Sequence, residues 1–218
     1  MSRPPVRRLI LLRHGQTEWN ATDRMQGQLD TELTELGRTQ AKEAARELST
    51  THPLRIVTSD LRRAVDTATV LGEHTGVAVE SDERLRETYL GDWQGLTHLD
   101  VDSGYPGARI AWRTDATMAP PNGENRLDVA RRARPLVDEL LESLGDEWLA
   151  RPVIFVAHGG LIAALTASLL DLPVDRWSVL GGLGNASWVQ LAAHGQLGAL
   201  SWRLDVWNSS ARVAPDVL

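Results

Sequence analysis

Two short, continuously apolar segments constrain the fold of this chain more than any other feature of its sequence. Leu9–Leu12 and Val153–Ala157 contain no polar residue, and each segment runs within one or two residues into a His-Gly pair. Strands that are apolar at every position are typical of parallel sheets covered on both faces, because a half-exposed strand alternates apolar and polar residues. We therefore expect two buried strands that each end in a tight turn.

Strand and helix patterns alternate along the rest of the chain, which predicts an α/β fold with three α/β/α layers and a mainly parallel sheet. We expect all 218 residues, 1–218, to form a single domain. The other predicted strands are Leu54–Thr58, Val77–Val79, Ser187–Leu191 and Ser201–Val206. The predicted helices are Thr34–Leu48 with Thr34 as N-cap, a helix capped by Ser59 or Asp60 and closed by Gly76, Asn125–Leu144 with a kink or restart at Pro135, and Leu161–Leu170.

Composition removes several classes of chemistry. The chain has no cysteine, so disulfides, thiolate metal sites and cysteine nucleophiles are excluded. The 23 basic residues include only one lysine, Lys42, which nearly excludes Schiff-base catalysis. The net charge of −6 argues against a nucleic-acid partner, and the apolar runs are too short for a membrane span or a signal sequence. Covalent catalysis would have to use His, Ser, Thr, Tyr or a carboxylate, and the cytoplasm is the expected location.

The two predicted strands bring a cluster of basic side chains to one edge of the sheet. His14 and His158 follow them directly, and Arg13 precedes His14. In a parallel α/β sheet, ligands bind at the carboxyl ends of the strands. Arg62 and Arg63 begin the helix that follows the predicted strand Leu54–Thr58. Because consecutive helical residues point about 100° apart, only one of them can face this edge. The sequence does not say which of the two it is.

The segment Asp100–Glu124 fits no strand or helix pattern and is rich in glycine and proline. A loop of this length within a compact domain is typical of a lid or a substrate-binding loop. Its Trp112 and Tyr105 could stack on a sugar ring while Arg109 pairs with a carboxylate. The alternative, that Trp112 only packs the loop onto the core, stays open.

Five segments in this order resemble the histidine phosphatase superfamily, which has a phosphoglycerate-mutase-like fold, and the first of them resembles its Arg-His-Gly signature. They are Leu12–Asn20 (LRHGQTEWN), Gly27–Gly37 (GQLDTELTELG), Ser59–Ala68 (SDLRRAVDTA), Leu85–Glu87 (LRE) and His158–Gly160 (HGG). Each segment is moderately specific by itself, and the order and spacing of the five are highly specific.

The resemblance implies a role for each residue of the cluster. His14 would be the nucleophile that takes the phosphoryl group as a phosphohistidine, and Arg13, Arg63 and His158 would hold the phosphoryl oxygens. Glu87 would protonate the leaving alcohol and then activate water. The residues expected to contact the phosphate or the rest of the substrate are Asn20, Gln26, the backbone of Gly27, and Gly159.

The segment Gly91–Gly95 (GDWQG) resembles the phosphatases of the family more than the cofactor-dependent mutases. The resemblance therefore implies hydrolysis of a small anionic phosphomonoester, with glucosyl-3-phosphoglycerate as the expected substrate, in a pathway to methylglucose lipopolysaccharides. It implies no cofactor and no metal, and a homodimer is a possible assembly. The alternatives are a 2,3-bisphosphoglycerate-dependent phosphoglycerate mutase and a non-catalytic phospho-ligand sensor, which the complete set of expected site residues disfavours.

Overall fold

A computed structural model of the chain describes residues 6–211. It contains one sheet of six strands in the order β3-β2-β4-β1-β5-β6. Neighbouring strands from β3 to β1 are parallel, whereas β5 and β6 are antiparallel to their neighbours, so the expected mainly parallel sheet is confirmed. The strands are β1 Val6–Arg13, β2 Arg55–Thr58, β3 Val79–Ser81, β4 Val153–Ala157, β5 Trp188–His194 and β6 Ser201–Ser209.

Helices cover both faces of the sheet, which confirms the three layers. The α-helices are α1 Glu18–Ala21, α2 Glu35–Ser49, α3 Arg62–Thr75, α4 His98–Gly104, α5 Ala108–Thr114, α6 Arg126–Leu144 and α7 Gly159–Leu169. Short 3₁₀ helices span Glu83–Leu85, Gly91–Trp93, Gly145–Leu149 and Val174–Val179. Within residues 6–211, none of the helices combines the length and apolar character needed to cross a membrane.

The continuous apolar character of β1 and β4 follows from this arrangement. Leu9 and Leu11 of β1 are buried with α6 and α7 on one face, whereas Ile10 and Leu12 are buried with α2 and α3 on the other. Because neither face of the two strands meets water, both faces need apolar side chains.

The predicted helix ends are confirmed at two places and wrong at one. The Thr34 hydroxyl caps α2 by accepting from the Gly37 amide at 3.0 Å, and Gly76 ends α3 with a left-handed φ of 71°. Neither Ser59 nor Asp60 caps α3, since the helix begins at Arg62, whose amide donates to the Asp30 carboxylate at 2.8 Å. The Asp60 carboxylate instead forms an ion pair with Arg86, which removes it from the helix end.

The predicted restart of the helix at Pro135 is wrong, because α6 is continuous through this residue. Pro135 lies on the exposed side of the helix, where the carbonyl that loses its amide partner can bond to water. The opposite side carries Leu136, Val137 and Leu140 into the core beneath the sheet. That packing keeps the helix intact.

The segment Asp100–Glu124 is not the structureless loop that its sequence predicts. Its first part contains the end of α4 and all of α5, whereas residues 115–124 form turns and irregular structure. A capping box starts α4, in which the Thr97 hydroxyl accepts from the Asp100 amide and the Asp100 carboxylate accepts from the Thr97 amide. Each helix has only seven residues, too few for an apolar periodicity to show in the sequence.

Candidate active site

The register of the sheet places the two strand-end histidines side by side. Arg13 of β1 is paired with Ala157 of β4, so the next residues, His14 and His158, leave the sheet together. The His14 amide donates to the Ala157 oxygen at 3.0 Å. The two imidazole centroids lie 5.2 Å apart, with their planes tilted by 58°.

The backbone determines which nitrogen of His14 can react. Nδ1 lies 2.7 Å from the Gly15 carbonyl oxygen, which can only accept, so Nδ1 carries the proton. Burial, with Arg63 and Arg13 nearby, holds the pKa of His14 well below its usual value. The ring is therefore neutral at pH 7, with an available lone pair on Nε2. A neutral imidazole of this tautomer is a competent nucleophile.

His158 is fully buried behind His14. Its two ring nitrogens have no hydrogen-bond partner among residues 6–211. Burial is the main reason that the pKa of His158 lies well below its usual value, and the neighbouring Arg63, His14 and Arg13 lower it further. A buried polar group without a partner is costly, so a partner supplied by a bound anion would be stabilising. The predicted contact with a phosphoryl oxygen stays a prediction.

Arg13 and Arg63 each keep one donor free near the histidines. Two nitrogens of Arg63 donate to backbone oxygens, to Leu29 at 2.8 Å and to Gly27 at 2.7 Å, while its Nε has no partner. Arg13 donates to the Leu183 oxygen, and its buried Nε is also unpartnered. Burial lowers the pKa of Arg63 to about 10, which leaves it cationic at neutral pH. Backbone oxygens thus fix both guanidinium groups and leave the Nε–H donor of each without a partner.

The choice between Arg62 and Arg63 follows from burial. Arg63 is only 1% exposed and lines the large cavity beside His14. Arg62 is more than half exposed and forms an ion pair with Glu32 at 2.8 Å. Of the two, Arg63 is the one that faces the strand ends.

Glu87 lies at the N-terminus of α7. Its carboxylate accepts from the backbone amides of Gly160 at 3.1 Å and Leu161 at 3.0 Å, and from the Thr88 amide at 2.8 Å. The same backbone segment therefore carries His158 and anchors Glu87. The approach is close enough that a Cβ added at Gly160 would lie 2.6 Å from a carboxylate oxygen.

The predicted substrate-contact residues other than His158 line one cavity of about 1070 Å³, which His14 also lines. Asn20, Gln26, Gly27 and Gly159 all line it. The Gln26 side-chain oxygen accepts from the Thr31 hydroxyl at 2.6 Å, which fixes the amide. The Gly27 carbonyl is engaged by Arg63, so the backbone contact expected there would fall to other atoms.

The three residues singled out between α4 and α6 separate in the structure. Trp112 lines the cavity and also packs edge-on against Trp93, with ring centroids 6.0 Å apart, so its stacking on a sugar ring stays a prediction. Tyr105 packs against Trp93 and does not line the cavity, and Arg109 is paired with Asp102. The expected carboxylate pairing of Arg109 is therefore already taken within the protein.

Sequence reasoning missed several residues of the site. Asn185 lines the cavity beside His14 and links its own loop to Asn20 by donating to the Asn20 side-chain oxygen at 3.1 Å. Arg132 supports the segment that carries Glu87, because it donates to the Glu87 carbonyl at 2.9 Å and is paired with Glu124. The glycines around Asn185 predict a loop, but no pattern in the sequence indicates what Arg132 contacts.

Known proteins share this arrangement over almost the whole chain. A family model described as histidine phosphatase superfamily (branch 1) matches residues 9–209. The chain belongs to this superfamily. Within residues 6–211, no group of three or more histidine, aspartate or glutamate side chains is placed to hold a metal ion.

The relatives of this histidine phosphatase include phosphatases of nearly identical length. The glucosyl-3-phosphoglycerate phosphatase of Mycolicibacterium vanbaalenii is 63% identical over 223 residues, covering 98% of this chain and 99% of that protein. The enzyme of the same name from Mycobacterium tuberculosis is 62% identical with the same coverage. A solved structure of mycobacterial glucosyl-3-phosphoglycerate phosphatase complexed with VO3 is 64% identical, with a TM-score of 0.90, and covers 94% of this chain and all of that one.

Proposed function

We propose that this histidine phosphatase hydrolyses glucosyl-3-phosphoglycerate to glucosylglycerate and inorganic phosphate, through a phosphohistidine on His14. The observation that carries the mechanism is the 2.7 Å contact between Nδ1 of His14 and the Gly15 carbonyl oxygen, which favours the tautomer that leaves Nε2 as a neutral nucleophile. Identity of 63% over 98% of the chain to a phosphatase of that name supports the substrate.

In the first step, Nε2 of His14 attacks phosphorus and the bond from phosphorus to the ester oxygen breaks. The Glu87 carboxyl group donates its proton to the departing alkoxide, so that an alcohol leaves. In the second step, the Glu87 carboxylate takes a proton from water, the resulting hydroxide attacks phosphorus, and the bond between phosphorus and Nε2 breaks. Neutral His14 and protonated Glu87 are restored, and no other reactant is needed.

Arg13 and Arg63 would stabilise the phosphoryl group in both steps. The transition state of phosphoryl transfer spreads negative charge over three equatorial oxygens, and fixed cationic donors lower its free energy. The guanidinium groups of the two arginines and the unpartnered ring of His158 are the donors proposed for those oxygens.

Glu87 needs a proton for the first step, although its neighbours in the free protein are donors. The backbone amides of Gly160 and Leu161 fix the carboxylate beside the cavity that Arg13 and Arg63 also line. The proton that Glu87 gives to the leaving alcohol in the first step is replaced by the one that it takes from water in the second.

The assembly and cellular setting are further proposals that rest on family resemblance: a homodimer, located in the cytoplasm, acting in a pathway to methylglucose lipopolysaccharides. Light scattering of the purified full chain tests the dimer directly. A molar mass of a single chain over the micromolar range would contradict it.

The activity is tested with a panel of phosphorylated metabolites and phosphate release as the readout. The purified enzyme should release phosphate from glucosyl-3-phosphoglycerate with the highest kcat/KM of the panel. Incubation with 3-phosphoglycerate, with and without 2,3-bisphosphoglycerate, separates hydrolysis from isomerisation. Formation of 2-phosphoglycerate without free phosphate would favour the mutase, and binding without any turnover would favour a sensor.

A further inference from the structure

The backbone that follows His14 is bound to the start of helix α2. The Gln16 amide donates to the side-chain oxygen Oε1 of Gln40 at 2.9 Å, and the Gln16 carbonyl accepts from the Thr34 amide at 2.9 Å. Thr34 caps α2, and Gln40 lies in the second turn of that helix. Both polar groups of the Gln16 backbone are therefore held by α2 and its cap.

Two glycines allow this close approach between the helix and the loop. A Cβ added at Gly37 would overlap the Gln16 carbonyl oxygen, and a Cβ added at Gly15 would overlap the Gly37 carbonyl oxygen. Glycine is the residue that lets two stretches of backbone come this near to each other. Because Gln40 is three residues after Gly37, the two lie on the same face of α2, and the Gln40 side chain can reach the loop.

One peptide group connects Gln40 to the imidazole of His14. The peptide between Gly15 and Gln16 has its carbonyl oxygen 2.7 Å from Nδ1 of His14, and it donates its N–H to Gln40. Because a peptide group is planar, a fixed N–H also fixes the direction of the carbonyl. Gln40 thus orients the acceptor that favours a proton on Nδ1 and a lone pair on Nε2.

The hydrogen bonds of the loop are divided between two side chains. Within residues 6–211, the peptide between Gly15 and Gln16 is hydrogen-bonded only to His14 and Gln40. The preceding peptide is held separately, because the Gly15 amide donates to the Thr67 hydroxyl at 3.2 Å. Loss of the Gln40 acceptor should therefore release one peptide group and leave the rest of the loop in place.

We propose that Gln40 is a positioning residue for phosphoryl transfer, which acts through the peptide between Gly15 and Gln16 to keep the Nε2 lone pair of His14 available for attack on phosphorus. The inference rests on the proposed function in one respect, since it takes His14 to be the nucleophile. Without the Gln40 acceptor, the peptide can turn and its carbonyl no longer fixes the proton on Nδ1. The tautomer with the proton on Nε2 then gains population, and it has no lone pair there with which to attack.

The tautomer itself can be measured without turnover. Nuclear magnetic resonance of the full chain labelled with ¹⁵N-histidine reports which ring nitrogen carries the proton, and the His14 signals are those missing from His14→Ala. At pH 7 the wild type should show the proton on Nδ1. Gln40→Met has a side chain of similar length without an acceptor, and we expect it to show a mixture of the two tautomers. Thr39→Met, at the adjacent exposed position of α2, should match the wild type.

Single-turnover kinetics at saturating substrate test the consequence for catalysis. In Gln40→Met, the rate constant of the first phosphoryl transfer should fall by about 10- to 100-fold, which is the range expected for a misplaced reacting group. The fall should be the same for 3-phosphoglycerate and p-nitrophenyl phosphate, because both esters meet the same nucleophile. In Gln40→Glu, which keeps an acceptor oxygen, the fall should be smaller.

Gln40 also lines the cavity, so the test must separate positioning from direct contact with the substrate. A donor contact from the Gln40 amide to the substrate would make Gln40→Glu the worse variant, because its carboxylate cannot donate and repels phosphate. That order of losses, or an unchanged His14 tautomer in Gln40→Met, would overturn the proposal. Gln40→Ala, with the most favourable helix propensity, serves for both measurements if Gln40→Met does not fold.

The two levels of the account fail in distinguishable ways. Turnover retained in His14→Ala would overturn the proposed function, and with it the role of Gln40 in catalysis. A wild type that depends on His14, together with a Gln40→Met variant that keeps both the tautomer and the rate constant, would overturn only the role of Gln40.

Discussion

The two walls of the cavity are built in different ways. His14, His158 and Arg63 lie beside the carboxyl ends of buried strands and are almost fully buried, and backbone oxygens hold the side chains of His14 and Arg63. The wall of α4 and α5 consists of seven-residue helices and carries half-buried or exposed side chains such as Trp112 and Arg113. The side chains beside the expected nucleophile are thus the most buried, whereas the wall of short helices carries the more exposed ones.

This contrast implies that changes at the strand ends affect every substrate, whereas changes on the helical wall affect only some. The largest effect outside His14 is expected for Glu87→Gln. In single-turnover measurements, the rate constant of the first phosphoryl transfer from an alkyl ester such as 3-phosphoglycerate should fall by about 10²- to 10⁴-fold. The transfer from p-nitrophenyl phosphate, whose leaving group needs no proton, should fall far less. Equal losses for both esters would remove Glu87 from the acid role.

Arg62 and Arg63 of α3 test this difference between buried and exposed positions, because they are adjacent in sequence and differ in burial. Arg63→Gln should lower kcat/KM by about 10²- to 10³-fold for every phosphomonoester, since a fixed donor to the phosphoryl oxygens is lost. Arg62→Gln, the matched control on the exposed side, should stay within about twofold of the wild type. Similar losses in both variants would show that burial does not distinguish their roles.

The strand-end region was largely predictable from the sequence, for a physical reason. Continuous apolar runs determine where buried strands end, and parallel register brings the next residues together, so the sequence alone was enough to pair His14 with His158. Arg63 and Glu87 could be assigned only from family resemblance. Their positions depend on the start of α3 and on contacts with α7, and the sequence expectation for the start of α3 was wrong.

A smaller effect is expected from Gly160→Ala, which alters the strand-end region without removing a functional group. The added Cβ would lie 2.6 Å from a Glu87 oxygen and 2.7 Å from the Thr88 hydroxyl, so the carboxylate must move. The rate constant of the first phosphoryl transfer from alkyl esters should fall by about 10- to 100-fold, which is less than in Glu87→Gln. Gly104→Ala, whose Cβ meets nothing within 4 Å, is the control. An unchanged rate in Gly160→Ala would show that the Glu87 position is not critical.

The pH dependence of stability gives the smallest expected effect. Burial holds the pKa values of His14 and His158 well below their usual value, so the unfolded chain binds these protons first as the pH falls below about 6.5. Stability should therefore decrease toward acid, by up to about 1.4 kcal/mol per pH unit for each histidine.

Urea unfolding between pH 7 and pH 5 measures this slope. In His158→Gln the slope should be smaller by up to about 1.4 kcal/mol per pH unit, whereas His74→Gln, at an exposed position, should retain the wild-type slope. The same slope in His158→Gln and the wild type would mean that His158 is not held neutral by the fold.

The helical wall was poorly predictable because its structure depends on short-range capping and on tertiary contacts. The Thr97–Asp100 capping box and the packing of Trp112 on Trp93 form two helices from a segment whose glycines and prolines predict a loop. The contact between Arg113 and Arg126 joins two helices through a backbone oxygen, which no sequence pattern reveals.

The most direct test of the account is to trap the phosphorylated enzyme. Mixing the full chain with excess p-nitrophenyl phosphate and quenching in base, where phosphohistidine survives, should leave one phosphoryl group on the peptide that contains His14. Nuclear magnetic resonance should place it on Nε2, because Nδ1 is bound to the Gly15 carbonyl. The adduct and turnover should both be lost in His14→Ala. An adduct on another residue, or turnover retained in His14→Ala, would contradict the mechanism.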